Sequence, residues 1–288
     1  MSTPRKLLFH FDTDAVPSVF DTVVAYDGGA DHLQGYGGVT PETVGALVDG
    51  TIFTRGPQEK KYTAIFVGGG DMAKGEALLE AVKSRFFGKF RVSVMLDSNG
   101  SNTTAAAGVA YLAHKRSLQG KRAIVLAGTG PVGRRAAALL AQEGAIVSLT
   151  SRVQSRADDA ARDIEKRFKV SVTPVQAFNN ADRAEAVKGF NVVFAAGAIG
   201  IELLEAAAWQ NEASIELLAD VNAQPPYGIQ GVEAMDNGKD RNGKTAYGAL
   251  GIGGLKLRLH RQCIAQLFER DDQILDAEEI YQKAKALA

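Results

Sequence analysis

One stretch near the middle of the chain decides its fold: Arg122-Ala-Ile-Val-Leu-Ala-Gly-Thr-Gly-Pro-Val-Gly-Arg-Arg-Ala-Ala-Ala-Leu-Leu-Ala-Gln-Glu-Gly144. Ile124 to Ala127 form a short apolar run, which is typical of a central parallel strand that is covered on both faces. An Ala- and Leu-rich segment with the composition of a helix follows, and a second strand is predicted over 145–150. Strand, turn, helix and strand in this order predict a parallel α/β unit.

The turn in this stretch carries glycines in the spacing G-x-G-x-x-G. Gly128 permits a tight turn, Gly130 lets the backbone approach a pyrophosphate, and Gly133 lets the helix pack close to the strand. The N–H groups of the first helical turn, together with the helix dipole, favour an anion. We therefore predict a dinucleotide site; the alternative is a glycine turn that serves packing alone. The predicted cofactor contacts in this turn are Gly128, Thr129, Gly130, Pro131, Val132 and Gly133.

The residues after the second strand indicate which dinucleotide binds. An NAD site usually has Asp or Glu about 20 residues beyond the glycines, where it binds the ribose 2′-OH. This chain has Ser151 and Arg152 there, with Arg156 four residues on and no acid over 145–157. Arginine offers a 2′-phosphate a charge-assisted fork, and Ser151 adds a hydroxyl donor. NADP is therefore predicted over NAD, although Arg156 taken alone also fits a solvated helix face.

The composition of the chain excludes several classes of function. The 288 residues contain 33 Lys+Arg and 33 Asp+Glu, so a net charge of zero argues against nucleic acid or an anionic membrane as main partner. The single cysteine, Cys263, excludes an intrachain disulfide and a cysteine zinc cluster. The four histidines lack metal-ligand spacing, so no metal site is expected. Without a signal sequence or a long apolar run, we expect a soluble, cytoplasmic protein.

Strand and helix patterns alternate along most of the chain, which predicts an α/β fold with two domains. We expect a Rossmann-type NADP-binding domain over 117–264. The other domain, an α/β substrate domain over 1–116, is expected to be completed by C-terminal helices over 265–288. Helices are predicted over 40–48 and 201–208 among others, and no strand is predicted after residue 249.

Two further strand ends in the second half are candidates for the nicotinamide half of the cofactor. One strand ends at Ala196-Gly-Ala-Ile-Gly200, and another ends at Asp220-Val-Asn222. In an open parallel sheet, ligands lie outside the carboxyl ends of the strands. The residues predicted to line the nicotinamide are Ala196, Gly197, Ala198, Ile199 and Asn222.

Three polar segments are candidates for chemistry, because polar residues crowded after an apolar strand are often functional. The first contains Asp12, Asp14, Ser18 and Asp21, the second spans 97–104, and the third spans 253–260. The alternative for the second segment is a helix N-cap with solvent-exposed turns. In the third, Lys256 and His260 share one helix face. Lys256 also fits an ordinary surface lysine, and His260 a buried or capping histidine.

Several loop motifs together resemble a known family. They are Phe11-Asp-Thr-Asp-Ala15, Val67-Gly-Gly-Gly-Asp-Met72, Asp97-Ser-Asn-Gly-Ser-Asn-Thr-Thr-Ala-Ala-Ala107, Ala127-Gly-Thr-Gly-Pro-Val-Gly133, Asn222-Ala-Gln-Pro-Pro226 and Gly248-Ala-Leu-Gly-Ile-Gly-Gly-Leu-Lys256. These stretches look like the NADP-dependent methylene-tetrahydromethanopterin dehydrogenase of methylotrophic bacteria. The resemblance covers essentially the whole chain.

The resemblance implies an enzyme that oxidises a methylene carrier to its methenyl form. The carriers implied are tetrahydromethanopterin and tetrahydrofolate, with hydride passing directly to the nicotinamide of NADP and no proton abstracted from carbon. Positioning is then the main task of the protein. A homo-oligomer is also implied. The preferred carrier is left open.

Site roles follow from the resemblance by position and chemistry. Lys256 would orient the reacting end of the carrier, with His260 behind it and the Asp97 carboxylate near the developing cation. The residues expected to bind the pterin are Asp12, Asp14, Asp21, Ser98, Asn99, Asn102 and Thr103. Two alternatives remain: an NADP-dependent alcohol dehydrogenase of the shikimate type, and a non-catalytic NADP-binding sensor.

Overall fold

The computed structural model describes residues 3–288, and every structural statement below concerns that part of the chain. Its strands follow one another as β1 Leu7–Asp12, β2 His32–Tyr36, β3 Thr63–Gly68, β4 Ser93–Leu96, β5 Arg122–Leu126, β6 Ile146–Ser151, β7 Thr173–Gln176, β8 Val192–Ala195, β9 Leu217–Asp220, β10 Asn237–Arg241, β11 Lys244–Tyr247 and β12 Ile274–Leu275. The helices are α1 Val19–Asp27, α2 Gly45–Phe53, α3 Met72–Ser84, α4 Ser101–Ala113, α5 Pro131–Gln142, α6 Gln154–Phe168, α7 Asn180–Ala186, α8 Ala206–Trp209, α9 Ala249–Leu267 and α10 Ala277–Leu287. Helices and strands alternate over much of the chain, as the sequence predicted.

The chain forms two compact units, and each contains one sheet. The first unit comprises residues 1–103 and 257–283, and the second comprises 104–256 and 284–288. The predicted domain boundaries lie elsewhere, at 116/117 and 264/265. In the structure the divisions fall inside α4, α9 and α10, because these helices continue from one unit into the other.

The sheet of the first unit has five strands in the order β12-β4-β3-β1-β2, all parallel. Read from β2 the order is 2-1-3-4-5, a doubly wound arrangement whose direction reverses between β1 and β3. The two central strands are apolar where they face the helices, and Phe11, Ile65 and Val67 pack there with Leu78 and Val82 of α3. This core holds the carboxyl ends of β1 and β3 side by side.

The second unit contains seven strands in the order β10-β11-β9-β8-β5-β6-β7. All its pairings are parallel except that of β10 with β11. From β7 to β11 the order reads 3-2-1-4-5-6, the Rossmann arrangement, with its reversal between β5 and β8. The predicted fold class, an α/β chain with a Rossmann-type domain, is thus confirmed.

Two predicted helices are corrected by the structure. Over 40–48, the Thr43 hydroxyl accepts the Thr40 amide at 3.0 Å, which favours a turn, so α2 starts only at Gly45. Over 201–208, Leu203 and Leu204 donate their amides to the Gly228 carbonyl, at 2.8 and 3.0 Å. That tertiary pairing holds the segment extended and leaves only the short α8 helical.

The sequence analysis also missed three strands. β10 and β11 form a hairpin around Asn242-Gly243, and both turn residues have positive φ, at 53° and 75°. Asn-Gly is the common pair for such a turn, so the signal was present. β12 was missed because it is only two residues long and is a strand only through its pairing with β4. The expectation that no strand follows residue 249 was therefore wrong.

Within residues 3–288, no helix combines the length and the apolar character required to cross a bilayer.

Candidate functional site

The carboxyl ends of β5 and β8 flank the reversal point of the Rossmann-type sheet. The glycine turn follows β5 directly, and residues 196–200 follow β8. Ligands of open α/β sheets bind outside the carboxyl ends of the strands at such a reversal point. The topology therefore brings together both segments to which the sequence assigned the cofactor.

The glycine turn is packed as a dinucleotide turn requires. A methyl group on Gly133 would lie 2.6 Å from the Cα and from the carbonyl oxygen of Gly128, so α5 could not approach the turn so closely with any other residue. A methyl group on Gly130 would meet no atom within 4 Å, which leaves the backbone accessible to a ligand. Pro131 occupies the first position of α5, and Arg134 Nε donates to the Thr129 carbonyl at 2.8 Å. These features fit a pyrophosphate cradle at a helix N-terminus.

The end of β6 presents positive charge. Arg152 and Arg156 are exposed, while Ser151 is buried and its hydroxyl accepts the Val153 amide at 3.3 Å. Strand β6 is held to the glycine turn, because the Gly128 amide donates to the Thr150 carbonyl at 3.0 Å. The two predicted arginines thus lie at the strand end where an adenosine ribose is bound in this fold.

Arg183 is a third arginine in this region, and the sequence analysis missed it. It is buried on α7, where Nε donates to the Leu203 carbonyl at 2.5 Å and its guanidinium also contacts Asn180. Burial lowers the pKa of Arg183. The carboxylates of Asp182 and Glu205 oppose this shift, whereas the positive charge of Arg152 acts in the same direction as burial. No sequence pattern signalled it, because Arg183 lies within an ordinary charged helix.

Asn222 connects the two segments expected to line the nicotinamide. Its side-chain oxygen accepts the Gly200 amide at 3.3 Å and its side-chain nitrogen donates to the Ala198 and Pro226 carbonyls, at 3.4 and 3.2 Å. The Asn222 side chain is buried, whereas Ala198 and Ile199 are exposed. The structure therefore places Asn222 beneath the exposed segment, holding its backbone.

Asp220 supports the same region from the last position of β9. Its carboxylate accepts the Asn222 amide at 2.9 Å and the Ile229 amide at 2.8 Å. Burial raises the pKa of Asp220 to about 6, although these amides act in the opposite direction. The sequence pattern placed Asp220 in a strand end expected near the nicotinamide but gave it no role of its own. It orders residues 221–229 around the end of its strand.

The reversal point of the first unit lies between β1 and β3, and polar loops follow both strands. The buried Asp12 carboxylate accepts the amides of Asp14 and Ser18, at 2.8 and 3.1 Å. The exposed Asp14 reaches across the reversal point, where its Oδ2 accepts the Gly70 amide at 2.8 Å. Asp21 lies half-buried in the first turn of α1, which the Ser18 hydroxyl caps. The predicted aspartates therefore lie along one edge of one sheet.

The polar segment after β4 is largely internal. Asp97 accepts the Thr103 amide at 3.0 Å and the Thr103 hydroxyl at 2.6 Å, and both residues are buried. Ser98 donates to the Gly68 carbonyl at 2.9 Å. Asn102 donates to the Leu96 carbonyl at 2.7 Å, and also to a carboxylate on the loop before α10. These contacts join β3, β4 and α4.

Asn99 is the exception in this segment. It is exposed, its φ is 55°, and its amide donates to the Gly69 carbonyl at 2.7 Å. The left-handed backbone is one that Asn tolerates better than most residues. Asn99 and Asp14 are therefore the members of the predicted substrate set that the structure presents most openly at this edge.

His260 and Lys256 both lie on α9. The buried His260 stacks on Phe66 at a ring distance of 5.4 Å, and its Nδ1 lies 3.8 Å from Asp97 Oδ2. Phe20, which is half exposed, lies on another side of the His260 ring at 6.4 Å. Lys256 is partly exposed and lies one helical turn earlier, in the part of α9 that belongs to the second unit. Asp97 and His260 are thus brought together in the first unit.

Residues 3–288 contain no cluster of three or more His, Cys, Asp or Glu side chains arranged to hold a metal ion.

Two comparisons relate the structure to solved enzymes. A 5-ketofructose reductase of Gluconobacter sp. strain CHM43 superimposes with a TM-score of 0.55 at 16% identity, covering 100% of both chains. A quinate dehydrogenase from Corynebacterium glutamicum, in complex with NAD, gives a TM-score of 0.55 at 11% identity, covering 97% of this chain and 98% of that one. At such identities the likeness shows the Rossmann-like fold alone.

Sequence comparisons are more specific. The pattern of the N-terminal part of methylene-tetrahydromethanopterin dehydrogenases matches residues 19–99. A protein named bifunctional protein MdtA, from Methylorubrum extorquens, is 67% identical over 286 residues, covering 99% of each chain. A second protein of that organism, named NAD(P)-dependent methylenetetrahydromethanopterin dehydrogenase, is 30% identical over 281 residues, covering 94% of this chain and 95% of its own. The chain therefore belongs to the methylene-tetrahydromethanopterin dehydrogenase family, and it is an oxidoreductase with a nicotinamide cofactor.

Proposed function

We propose that this chain oxidises methylene-tetrahydromethanopterin, and also methylene-tetrahydrofolate, to the methenyl form with NADP as the hydride acceptor. The observation that carries the proposal is the full-length similarity to a relative named for that dehydrogenase reaction. The polar edge of the first unit and the glycine turn of the second supply the two kinds of surface that such a reaction needs. The proposal includes methylene-tetrahydrofolate because of the family resemblance carried by the loop motifs quoted above. The homo-oligomer and the cytoplasmic location expected from the sequence stay predictions.

The residues of the second unit fit NADP on two observations. The close contact of Gly133 with Gly128 and the open space at Gly130 leave room for a pyrophosphate against the backbone. The exposed Arg152 and Arg156 would pair with the 2′-phosphate, and the buried Arg183 would strengthen the positive field there. When bound, the nicotinamide supplies the hydride acceptor. Residues 196–200, held by Asn222, would shape its binding surface.

On the substrate side, exposed and buried residues would have different tasks. Asp14, Asn99 and the half-buried Asp21 would contact the pterin, since their side chains reach the surface of the sheet edge. Lys256 would orient the reacting end of the carrier, as the sequence analysis proposed. Oxidation of the methylene carbon leaves a cation shared by two nitrogens, so orientation contributes most of the catalysis and a nearby carboxylate adds electrostatic stabilisation.

The remaining predicted substrate residues would act by holding loops. Asp12, Ser98, Asn102 and Thr103 are buried. The first three form hydrogen bonds with backbone groups, and Thr103 donates its amide and its hydroxyl to the Asp97 carboxylate. The internal hydrogen bonds of Asp97 give it the same loop-holding task in addition to any field it exerts on the cation. Preorganised loops of this kind lower the cost of orienting a substrate.

Absorbance of NADPH, followed with each carrier and each nucleotide in turn, tests the reaction directly. We expect NADPH to form with methylene-tetrahydromethanopterin and methylene-tetrahydrofolate. NADPH formation with an alcohol such as quinate, and with neither carrier, would contradict the proposal. Tight NADP binding without turnover of any one-carbon carrier would instead indicate a sensor.

Nucleotide choice is tested by replacing both exposed arginines. Arg152→Ala combined with Arg156→Ala should lower kcat/KM for NADP by about a hundredfold, because two charge-assisted contacts are lost, and should leave the value for NAD nearly unchanged. Arg162→Ala is the matched control, since Arg162 is exposed on the same helix but pairs with Asp159. An equal loss for NADP and NAD would show that the arginines do not read the phosphate.

Lys256→Ala tests the catalytic lysine. Loss of an orienting contact should lower kcat/KM for the methylene carrier while leaving NADP affinity close to wild type. If kcat/KM stays within about threefold of wild type, roughly 0.7 kcal/mol, the proposed role of Lys256 is wrong.

A further inference from the structure

His10 is a buried histidine to which the proposed reaction assigns no task. It lies on β1, the central strand that ends at the reversal point of the first unit, and its side chain has no exposed surface. Its Nε2 lies 3.2 Å from Oδ2 of Asp12. Its ring meets the edge of Phe66 at 5.1 Å, and a side chain on Gly68 would collide with its Nε2. The strand pairing and the missing side chain at Gly68 thus hold the imidazole against Asp12.

Asp12 is the residue around which the loop after β1 folds. One carboxylate oxygen accepts the Asp14 amide and the other accepts the Ser18 amide, while the Asp12 carbonyl accepts the Val39 amide at 2.9 Å. Burial alone would raise the pKa of Asp12, but the neighbouring His10 imidazole and the hydrogen bonds from these amides outweigh burial and lower it. The carboxylate is therefore charged, internal and dependent on its donors.

Hydrogen bonds connect this loop to the loops that follow the neighbouring strands. The Asp14 carbonyl accepts the Gly38 amide at 2.7 Å, which connects the loop after β2. The Asp14 carboxylate accepts the Gly70 amide, which connects the loop after β3. From there the Gly69 carbonyl accepts the Asn99 amide, which connects the loop after β4. Four loops at the carboxyl edge thus share one network.

We propose that His10 is a positioning residue for the substrate: its imidazole, with Nε2 3.2 Å from Oδ2 of Asp12, keeps that carboxylate in place and thereby fixes where Asp14 and Asn99 meet the pterin. The inference rests on the proposed function, because it takes the edge of the first unit as the pterin site. It adds a residue that has no exposed surface and touches no substrate. A buried carboxylate that loses a polar neighbour must shift or take up a proton, and either change moves the amides that it holds.

The test is a comparison of steady-state constants for methylene-tetrahydromethanopterin and NADP in His10→Phe, which keeps an aromatic ring but removes the polar nitrogens beside Asp12. We expect KM for the carrier to rise about tenfold, with kcat and KM for NADP within about twofold of wild type. His10→Gln restores a polar amide near the same point. It should bring KM for the carrier back to within about threefold of wild type, since a polar group again faces the carboxylate.

Two further variants separate positioning from general damage. Leu78→Ala removes a buried side chain from the core of the same unit, and it should lower stability without changing either KM selectively. Gly68→Ala would place a methyl group against the His10 imidazole, so it should displace the ring and raise KM for the carrier, as His10→Phe should. This variant provides the same test if His10→Phe does not fold.

The outcomes distinguish the inference from the function it rests on. A wild-type protein that forms no NADPH with the carrier contradicts the proposed function, and the role of His10 with it. A wild-type protein that turns over, beside a His10→Phe variant with unchanged constants or with equal changes in both KM values, contradicts the role of His10 alone. A similar selective rise in Leu78→Ala would also contradict it.

Discussion

Gly133→Ala is the substitution that most directly tests the packing of the glycine turn. The new methyl group would lie 2.6 Å from two backbone atoms of Gly128, where carbon contacts prefer about 3.5–4.0 Å. The start of α5 or the turn must therefore move by about 1 Å. Backbone atoms cannot rotate aside as the end of a flexible side chain can. The strain falls on the segment that would hold the pyrophosphate.

The expected magnitude follows from two opposing terms. Overpacking of this kind costs about 1–3 kcal/mol, whereas replacing a helical glycine by alanine returns about 0.5–1 kcal/mol. The net loss is about 0–2.5 kcal/mol, which lowers Tm by up to about 5–10 °C for a unit of this size. Loss of even one charge-assisted hydrogen bond to the pyrophosphate should raise Kd for NADP by about tenfold or more. Calorimetry and NADP titration measure both effects.

Two other glycines of the chain provide controls. Gly130→Ala has room for its methyl group and a tolerated backbone, with φ −75° and ψ 172°, so it should fold with a loss below about 1 kcal/mol yet bind NADP more weakly. Gly50→Ala lies in α2 with open space around it and should gain about 0.5–1 kcal/mol. A Gly133→Ala protein that is as stable as wild type and binds NADP equally well would refute the argument.

Three further predictions concern buried polar groups, with one exposed position as a control. Because burial raises the folded pKa of Asp220 from 3.8 to about 6, stability should fall as pH rises from about 4 to 6, by up to about 3 kcal/mol. Asp220→Asn should remove that dependence, as measured by urea unfolding at each pH. Thr103→Val removes a hydroxyl donor from the buried carboxylate of Asp97 and should cost about 1–3 kcal/mol, read from the same urea midpoints against wild type. Asn102→Ala loses two donated hydrogen bonds and should lower Tm. Asn99→Gly, at an exposed position whose left-handed backbone suits glycine, should leave Tm nearly unchanged.

The sequence was most informative where one local pattern determines both structure and contact. The glycine spacing after β5 specified a turn, a helix start and a close helix–strand contact, and the structure has all three. The apolar run of β5 was recognised as a strand for a similar reason, since a strand covered on both faces carries few polar residues. In these segments local preference and tertiary packing agree.

Prediction failed where a distant partner overrode the local pattern. Residues 201–208 have a helical composition, but the Gly228 carbonyl accepts two of their amides and holds them extended. The two residues of β12 become a strand only beside β4. Arg183 was missed, and Asp220 was named only as part of a candidate strand end, because no motif marks either residue. Their surroundings are assembled from α7, β9 and the loops after β8 and β9.

The polar residues after β1 and β4 show how far strand-end polarity identifies a site. A polar side chain at the end of a buried strand either satisfies the backbone of the loop it begins or meets a ligand, and composition alone does not separate these tasks. At Asn99 the sequence does carry a signal that distinguishes the two tasks. Asn99 precedes Gly100, and consecutive positive φ angles of 55° and 57° turn Asn99 outward while the Asp97 carboxylate remains inside with Thr103. An Asn-Gly pair carries that turn signal in its sequence. The edge of the first unit thus consists of a buried polar frame, to which His10 belongs, and a small exposed set through which substrate contact is expected.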